Sequence, residues 1–249
     1  MKKNGKEELR KEKKLLGLDK IDKVFILHLE KRKDRLGFCL KDLIPALPKY
    51  LQEKVEFFTA IDRTNEKTRN QRAAGCALSQ AAIWKSCVER KYNRVLIFED
   101  DVKPAVTPNE LSEYFRLLKS MKFDLCALAY HPMAPFIPSK YKNFSHTHYF
   151  FHAAAYVAQV SHLSEMINTV EYNAGFLEKD YPISRHAIDV VWHKFHNNRH
   201  KKNSFKTWLI SNLPLFVQRN RLYSDIEGRC KNNNPMKKNR NKIVPIFRS

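Results

Sequence analysis

The stretch RVLIFEDDV, residues 94–102, decides the fold. Its apolar residues 95–98 run directly into three consecutive carboxylates, Glu99, Asp100 and Asp101. A short apolar run of this kind predicts a buried strand, and ligands of open α/β sheets bind beyond the carboxyl ends of such strands. Neighbouring carboxylates repel one another unless a cation or hydrogen-bond donors offset their charge. The stretch therefore predicts a strand that ends in an acidic binding site.

A divalent metal is the simplest offset for this charge. Oxygen ligands suit hard ions such as Mg²⁺ or Mn²⁺, which commonly lie between one or two carboxylates and the phosphates of a nucleotide. The alternative interpretation is an acidic turn that closes a strand, because Asp and Glu are common in solvated loops. The stretch alone leaves both interpretations open.

The patterns on either side of this stretch predict an α/β fold. Strands are expected at residues 24–29 and 55–61 and from residue 95, with a helix after each of the first two. Pro45 and Pro48 are expected to break the first helix. The second helix has an apolar stripe of Ala77, Leu78, Ala81, Trp84 and Val88. Strand, helix, strand, helix, strand is the order of a parallel, Rossmann-like nucleotide-binding half.

Further elements are predicted after the acidic stretch. Thr107 and Glu110 form a capping-box pattern with proline at the first helical position, so we expect the acidic site in a short strand-to-helix loop. Residues 123–130 and 153–160 are expected to form strands. Ser161 is expected to cap a helix whose apolar face is Leu163, Met166, Ile167 and Val170.

The composition is typical of one globular domain with basic ends. The chain has 249 residues, of which 43% are hydrophobic, enough for a sizeable core. We expect a basic segment at residues 1–20, a single α/β domain at 21–230 and a basic tail at 231–249. No apolar run approaches the roughly 18 residues that span a bilayer, and the Lys/Glu-rich start is unlike a signal peptide. Five scattered cysteines without a C-x-x-C pair favour a reducing cytoplasm.

The charge balance predicts an anionic partner. Lys and Arg total 46 against 26 Asp and Glu, a formal net charge of +20, so the protein carries a positive field. Nucleic acid, anionic lipid and phosphorylated glycolipid all satisfy this condition. The tail at 231–249 holds six basic residues and no acidic one. Its final apolar residues could enter a lipid interface or pack on the domain.

Six segments, taken together, resemble glycosyltransferase family 25, whose bacterial members extend lipooligosaccharide. They are VFILHLEKRKDR (24–35), FFTAID (57–62), GCALSQAAIW (75–84), VLIFEDDV (95–102), PISRHAIDVVW (182–192) and YSDIEGR (223–229). Each segment is weak alone, but their order and spacing over residues 24–229 are specific.

This resemblance implies a GT-A-like fold with a Rossmann-like nucleotide-binding half and a mixed central sheet. It also implies an inverting hexosyltransferase that moves galactose or glucose from a UDP-sugar to a saccharide acceptor, such as growing lipooligosaccharide. Such an enzyme would work in the bacterial cytoplasm, peripherally on the inner face of the inner membrane. There its basic surface would hold an anionic glycolipid.

The resemblance further implies roles for individual residues. Residues 99–101 would form the family's D-x-D-like motif, with Asp101 on Mn²⁺ or Mg²⁺, and with Glu99 and Asp100 toward the ribose or a water of the metal. Asp225, in a Ser-Asp-Ile segment that the family shares, would approach the metal, and a turn-capping Asp is the alternative. Donor contacts are expected at motif positions after the first two strands, namely Leu29, Arg35 and Asp62.

Asp189 is the first candidate for a catalytic base. Inverting transfer needs a group that accepts the proton of the acceptor hydroxyl, because a neutral hydroxyl is a weak nucleophile. An acidic residue within the apolar segment HAIDVVW, residues 186–192, is not expected at a plain surface. A buried Asp with a purely structural role is the alternative.

Two histidine clusters offer a rival metal site. One lies at helical spacing, as zinc ligands can, and comprises His186, Asp189, His193, His196 and His200. Its polar, cationic surroundings favour a solvated face instead. The other comprises His146, His148 and His152, and a loop near the acceptor is its functional alternative.

Two other functions stay open from the sequence. The charge also fits a nucleic-acid-binding protein without catalysis, but no known nucleic-acid-binding signature accompanies it, so no specific nucleic-acid partner is expected. A nucleotide-sugar-binding protein that has lost catalysis is the second possibility, because Gln80 stands where the family often has His. Residues 184–187 also depart from the family pattern, which indicates a different acceptor specificity.

Overall fold

The computed structural model describes residues 21–132, 136–147, 150–200, 208–219 and 222–230. The basic segment expected at residues 1–20 and the basic tail expected at 231–249 lie outside the described residues. Within the described ranges, no helix combines the length and apolar character needed to cross a membrane.

The described residues form strands and helices with the following bounds. The strands are β1 Lys23–His28, β2 Val55–Thr59, β3 Arg94–Glu99, β4 Val102–Pro104, β5 Leu125–Pro132, β6 Ile137–Pro138, β7 Phe144–His146, β8 Phe150–Gln159, β9 Trp208–Ser211, β10 Phe216–Gln218, β11 Tyr223–Ser224 and β12 Arg229–Cys230. The helices are α1 Lys33–Phe38, α2 Ile44–Ala46, α3 Lys49–Gln52, α4 Arg69–Glu89, α5 Pro108–Leu118, α6 Val160–Glu178, α7 Ile183–His186 and α8 Ile188–His200. A π-helical turn, Cys39–Leu43, joins α1 to α2.

An eight-stranded mixed sheet forms the centre of the fold, in the order β2-β1-β3-β8-β5-β9-β7-β6. β1 lies between β2 and β3 and is parallel to both, whereas β8 is antiparallel to β3 and β5. The parallel part has the Rossmann-like order of strands and helices that the sequence predicts, and the antiparallel strands make the sheet mixed. The predicted α/β fold class, with a Rossmann-like half and a mixed central sheet, is thereby confirmed.

Two apolar layers cover the two faces of this sheet. Successive side chains of a strand point to opposite faces. Phe25 and Ile97 therefore pack beneath α4, α6 and α8, whereas Ile26 and Phe98 pack beneath the π-helical turn and α5. This alternation also decides on which side of the sheet each residue at a strand end projects.

Two short pairings bring the C-terminal part of the chain back to the end of β3. β10 pairs antiparallel with β4, which directly follows the acidic stretch. The backbone N–H of Arg219 donates to the carbonyl of Asp101 at 2.7 Å. β11 and β12 form a hairpin a few residues later. These pairings place the C-terminal strands beside the carboxyl end of the parallel half.

Two predicted helix boundaries are wrong. Pro45 lies inside α2 rather than breaking the first helix, because the preceding π-helical turn changes the hydrogen-bond pattern that a proline would interrupt. The chain becomes extended only at Leu47, before Pro48. Ser161 does not cap α6, because β8 runs straight into the helix and Gln159 occupies the cap position without a side-chain hydrogen bond.

Two predicted helix faces also differ from the structure. Val88 is 43% exposed, because it lies in the last turn of α4 and is not covered there. His186 belongs to the short helix α7, and Ala187 is extended between α7 and α8, with ψ 151°. The spacing predicts that His186 shares one helical face with Asp189 and His193. In the structure it does not, because His186 belongs to a different helix.

Candidate functional site

An open cleft lies at the carboxyl ends of β1, β2 and β3. It encloses about 700 Å³ that protein atoms do not fill, part of it open to solvent. Leu29 follows β1, Ile61 follows β2, and residues 99–101 form the end of β3 and the turn after it. All of them line the cleft. The acidic stretch therefore lies where open α/β sheets bind ligands.

Arg35 is the cation that offsets the acidic stretch. Its guanidinium lies 2.7 Å from Asp100 Oδ1, 3.4 Å from Asp225 Oδ2 and 3.9 Å from Asp101 Oδ2. Burial lowers the pKa of Arg35, but the charges of Asp101 and Asp100 outweigh burial and raise the pKa overall. The side chain is only 10% exposed, so solvent screens these attractions weakly. Arg35 therefore stays charged and holds three carboxylates together.

Asp100 points into the protein. Its carboxylate is 5% exposed and accepts hydrogen bonds from Arg35 at Oδ1 and from His28 Nδ1 at Oδ2, 2.8 Å away. The Cys39 thiol donates to the Asp100 carbonyl at 3.4 Å. These hydrogen bonds indicate that Asp100 orients Arg35. A contact between Asp100 and the sugar donor stays a prediction.

Glu99 and Asp101 line the cleft beside Arg35. Glu99 Oε2 accepts a hydrogen bond from Gln218 Nε2 at 3.2 Å, and Asp101 is 17% exposed. No group of three or more His, Cys, Asp or Glu residues is arranged to hold a metal ion in the part of the chain that the structure describes. Hard ions commonly take one or two carboxylates and complete their shell with substrate phosphates and water. Glu99 and Asp101 fit a site of that kind.

Asp225 forms ion pairs with two arginines at the edge of the cleft. Its Oδ2 lies 2.5 Å from Arg32 Nη1 and 3.4 Å from Arg35 Nη2. The next residue, Ile226, packs on the apolar cluster that includes Ala73. These contacts hold the β11–β12 hairpin against the cleft. The predicted metal ligand Asp225 thus neutralises cations in this structure.

Asp62 lies at the rim, between two residues that line the cleft. Its Oδ1 accepts hydrogen bonds from the Thr64 N–H at 2.8 Å and from the Thr64 hydroxyl at 2.6 Å, and its Oδ2 pairs with Lys31 at 2.7 Å. Burial works to raise the pKa of Asp62, but the bonds from Lys31 and Thr64 lower it to about 2. Asp62 therefore stays ionised and closes the turn after β2.

Asp189 lies in the first turn of α8, where its Oδ1 accepts a hydrogen bond from the Val190 N–H at 2.9 Å. It does not line the cleft itself but lies close to Cys76, which does. Burial raises the pKa of the Cys76 thiol well above its usual range, and the charges of Glu99 and Asp189 raise it further. The charges of Asp189 and Glu99 therefore both act on the Cys76 thiol of α4.

Gly75 and Ser79 are site-building residues that the sequence reasoning missed. A Cβ on Gly75 would lie 2.8 Å from the carbonyl oxygen of Ile61. The Ser79 hydroxyl donates to the Gly75 carbonyl at 2.6 Å and accepts from the Ile61 N–H at 2.8 Å. The available signal was a pair of small residues four positions apart in the GCALS segment, which places both on one face of α4.

The part of the chain from α4 to α8 decides the family. The sequence model of glycosyltransferase family 25 (LPS biosynthesis protein) matches residues 71–202, more than half of the 249 residues. The chain belongs to glycosyltransferase family 25. The family 25 match includes residues 99–101 and Asp189, whereas the other predicted site residues, Leu29, Arg35, Asp62 and Asp225, lie outside it.

Two solved structures are similar to the family 25 chain. One is a glycosyltransferase involved in the glycosylation of the major capsid of PBCV-1, with a TM-score of 0.41 and 10% identity over 84% of this chain and 97% of that chain. The other is a mannose-1-phosphate geranyltransferase from Thermus thermophilus, with a TM-score of 0.39 and 8% identity over 80% of this chain and 74% of that chain. No curated protein sequence matches the chain.

Gln80, where family 25 often has His, lies in the core. It is fully buried, and its Oε1 accepts a hydrogen bond from the Tyr156 hydroxyl at 2.6 Å. That hydroxyl accepts in turn from Trp84 Nε1 at 2.8 Å. The departure from the family therefore falls at a buried position that joins α4 to β8.

The predicted histidine clusters do not form a metal site among the described residues. His186 bonds Asn173 and stacks on Phe176, 4.7 Å between ring centroids. His152 contacts His131 edge to face at 6.1 Å. His148 and the side chains of His196 and His200 lie outside what the structure describes.

Proposed function

We propose that this family 25 chain transfers galactose or glucose from a UDP-sugar to a saccharide acceptor, with inversion at the sugar carbon. The observation that carries the proposal is the acidic stretch at residues 99–101, which lines an open cleft at the ends of three parallel strands. Family membership makes the chain a glycosyltransferase, and the cleft supplies the anionic and cationic groups that a nucleotide-sugar reaction needs.

Asp101 and Glu99 are the proposed ligands of Mg²⁺ or Mn²⁺, because their oxygens suit hard ions and both line the cleft. When bound, such an ion offsets the charge of the departing diphosphate. Arg35 orients this acidic group, since its guanidinium bridges Asp100 and Asp225. Leu29 and Asp62 flank the proposed donor site from the ends of β1 and β2.

Asp189 is the proposed base that accepts the proton of the acceptor hydroxyl. Its support is its position in the first turn of α8 and the effect of its charge on the thiol of Cys76, which lines the cleft. The N–H of Val190 bonds one carboxylate oxygen and fixes the side chain. The other oxygen would receive the proton while the hydroxyl oxygen forms the new bond to the sugar.

An anionic glycolipid, such as growing lipooligosaccharide, is the proposed acceptor. The net charge of +20 supports this choice, because a positive field raises the local concentration of anionic partners. The same charge supports a peripheral position on the inner face of the bacterial inner membrane. Vesicles that contain anionic lipid would then bind the protein, with an affinity that falls as salt increases.

Calorimetric titration of UDP, UDP-galactose and UDP-glucose, with and without Mn²⁺, tests the proposal. We expect binding that requires the metal and that weakens by about tenfold or more in Asp101→Asn, because the variant loses a proposed metal-binding charge. Preference for one UDP-sugar would identify the donor.

Glu113→Gln is the matched control for this titration. Glu113 lies on α5 in an exposed ion pair with Arg116 and does not line the cleft. Its replacement should leave UDP binding unchanged. Absence of UDP binding in the wild-type protein, at any metal concentration, would refute the proposal.

A further inference from the structure

An exposed aromatic cluster lies at the C-terminal end of α6 and in α7. We define it as the aromatic platform, comprising Tyr172, Phe176, Tyr181 and His186. Ring centroids are 5.0 Å apart for Tyr172 and Phe176, 5.3 Å for Phe176 and Tyr181, and 4.7 Å for Phe176 and His186. Tyr172 is 70% exposed and Tyr181 is 49% exposed. Exposed contiguous apolar groups mark binding surfaces more often than single exposed residues do.

The platform is not part of the hydrophobic core. Tyr172 and Phe176 lie four residues apart and therefore share one face of α6. The core-facing side of the same helix carries Val170, Ala174 and Leu177, which are all buried. The two tyrosines therefore keep ring surface and hydroxyl groups available to a ligand.

His186 adds a hydrogen-bond acceptor to the platform. The Asn173 amide donates to the Thr169 carbonyl at 2.8 Å, so its oxygen accepts from His186 Nδ1 at 2.9 Å. This network assigns the proton to Nδ1 and leaves Nε2 as the acceptor. Burial lowers the pKa of His186, and the nearby charges of Lys194 and Arg185 lower it further, so the ring is neutral at pH 7.

Two cations lie beside His186 of the platform. Arg185 lies in α7 and Lys194 lies in α8, both are exposed, and the charges of both act on the His186 ring. The Lys194 ammonium donates to the Arg185 carbonyl at 2.6 Å, which keeps it beside His186. These cations, which we call the cationic rim of the platform, attract a ligand that carries phosphate or carboxylate groups.

The platform adjoins the proposed acceptor side of the cleft. Asp189 lies three positions after His186, which limits the distance between their Cα atoms to about 11 Å. Arg63 lines the cleft and pairs with Glu178 in the last turn of α6, 2.6 Å between Nη2 and Oε1. A ligand that extends from Asp189 would thus reach the platform.

We propose that the aromatic platform binds a sugar ring of the acceptor saccharide, next to Asp189, with anionic substituents directed to the cationic rim. Aromatic faces pack on the apolar faces of sugar rings, and His186 Nε2 accepts a hydrogen bond from a sugar hydroxyl. A membrane surface is less favoured, because an acyl chain would leave this acceptor without a partner. The inference rests on the proposed function.

Saturation-transfer NMR with deacylated lipooligosaccharide tests the inference. We expect transfer to sugar-ring protons in the wild type, and about tenfold weaker binding in Tyr172→Ala/Tyr181→Ala, because each stacked ring contributes a few-fold. Leu213→Ala, which removes a side chain that is 53% exposed elsewhere, should leave the signal unchanged. UDP titration of each variant checks the donor site separately and should give the wild-type affinity.

Three outcomes would overturn the inference. One is equal saccharide binding by the wild type and the double variant. Another is wild-type protein that binds UDP but gives no saccharide signal, which leaves the proposed function standing. The third is a double variant that keeps saccharide binding but loses binding to phosphatidylglycerol vesicles, which assigns the platform to the membrane. Wild-type protein that binds the saccharide but does not bind UDP would count against the proposed function and not against the platform.

Discussion

Arg35 and its three carboxylates form the electrostatic centre of the cleft. Asp100 is almost completely buried and takes one hydrogen bond each from Arg35 and His28. A buried charge that loses its partner is much more costly than an exposed one, typically by about 3 to 5 kcal/mol. Arg35 therefore contributes strongly to keeping these carboxylates side by side in the cleft.

Substitution of Arg35 should separate the effect of its charge from that of its shape. Arg35→Lys keeps the charge but loses the fork that reaches Asp100 and Asp225 at once, so we expect a loss of about 1 kcal/mol in unfolding free energy. Arg35→Ala should lose about 3 kcal/mol. Urea unfolding followed by circular dichroism measures both. The control is Arg116→Ala, whose ion pair is fully exposed and whose loss should leave stability nearly unchanged. An Arg35→Ala protein as stable as this control would contradict the account.

At the scale of elements, α4 fixes the loop after β2 and with it one wall of the cleft. Gly75 lets the Ile61 carbonyl approach the helix, and Ser79 bonds the Ile61 backbone N–H. The Thr68 capping box starts the helix just before this contact. The position of the wall therefore depends on the absence of a side chain at one residue.

Two glycine substitutions test this contact. Alanine is favoured over glycine inside a helix by about 1 kcal/mol, and a Cβ added at Gly175 would meet nothing within 4 Å beyond its own helix backbone, among the described residues. Gly175→Ala should therefore raise stability. Gly75→Ala should lower stability or leave it unchanged, and should weaken UDP binding, because the loop must move. Thermal unfolding and UDP titration measure the two effects. Equal stabilisation by both substitutions would show that the close approach is unimportant.

The sequence predicts the elements of the cleft better than their mutual contacts. The apolar run of β3 and the capping box at Thr107 are local patterns, and both are confirmed. The contact between Arg32 and Asp225 joins residues 193 positions apart. No local pattern contains it, since it depends on how β10 and β4 pair.

The direction of side chains in a turn is equally hidden from the sequence. Asp100 and Asp101 are adjacent and chemically identical, yet one carboxylate is 5% exposed and the other 17% exposed. The difference arises from the turn that links β3 to β4 and from the positions of His28 and Arg35. Likewise, the extended backbone at Ala187 separates two helices that residue spacing alone would join.

At the scale of the whole molecule, the charge of +20 opposes folding through self-repulsion, and every paired carboxylate offsets part of it. Glu56 is a clear case, because it joins three elements. It lies on β2, pairs with Arg90 after α4 at 2.7 Å and with Lys23 on β1 at 2.8 Å. Protonation of Glu56 therefore weakens the edge of the parallel half.

Acid unfolding should reveal this contribution. The hydrogen bonds from Arg90 have the largest effect on the pKa of Glu56. Together with Lys23 they outweigh burial, which works to raise this pKa, and they lower it from 4.5 to about 2. Because the folded pKa lies below the unfolded one, the stabilisation is present above about pH 4.5 and is lost as the pH falls toward 2. Glu56→Gln should thus be less stable than wild type by about 1 kcal/mol at pH 7, after allowance for solvent screening. The difference should shrink toward zero near pH 2, in urea unfolding measured over this range. A difference that stays constant with pH would mean that Glu56 acts through packing and not through its charge.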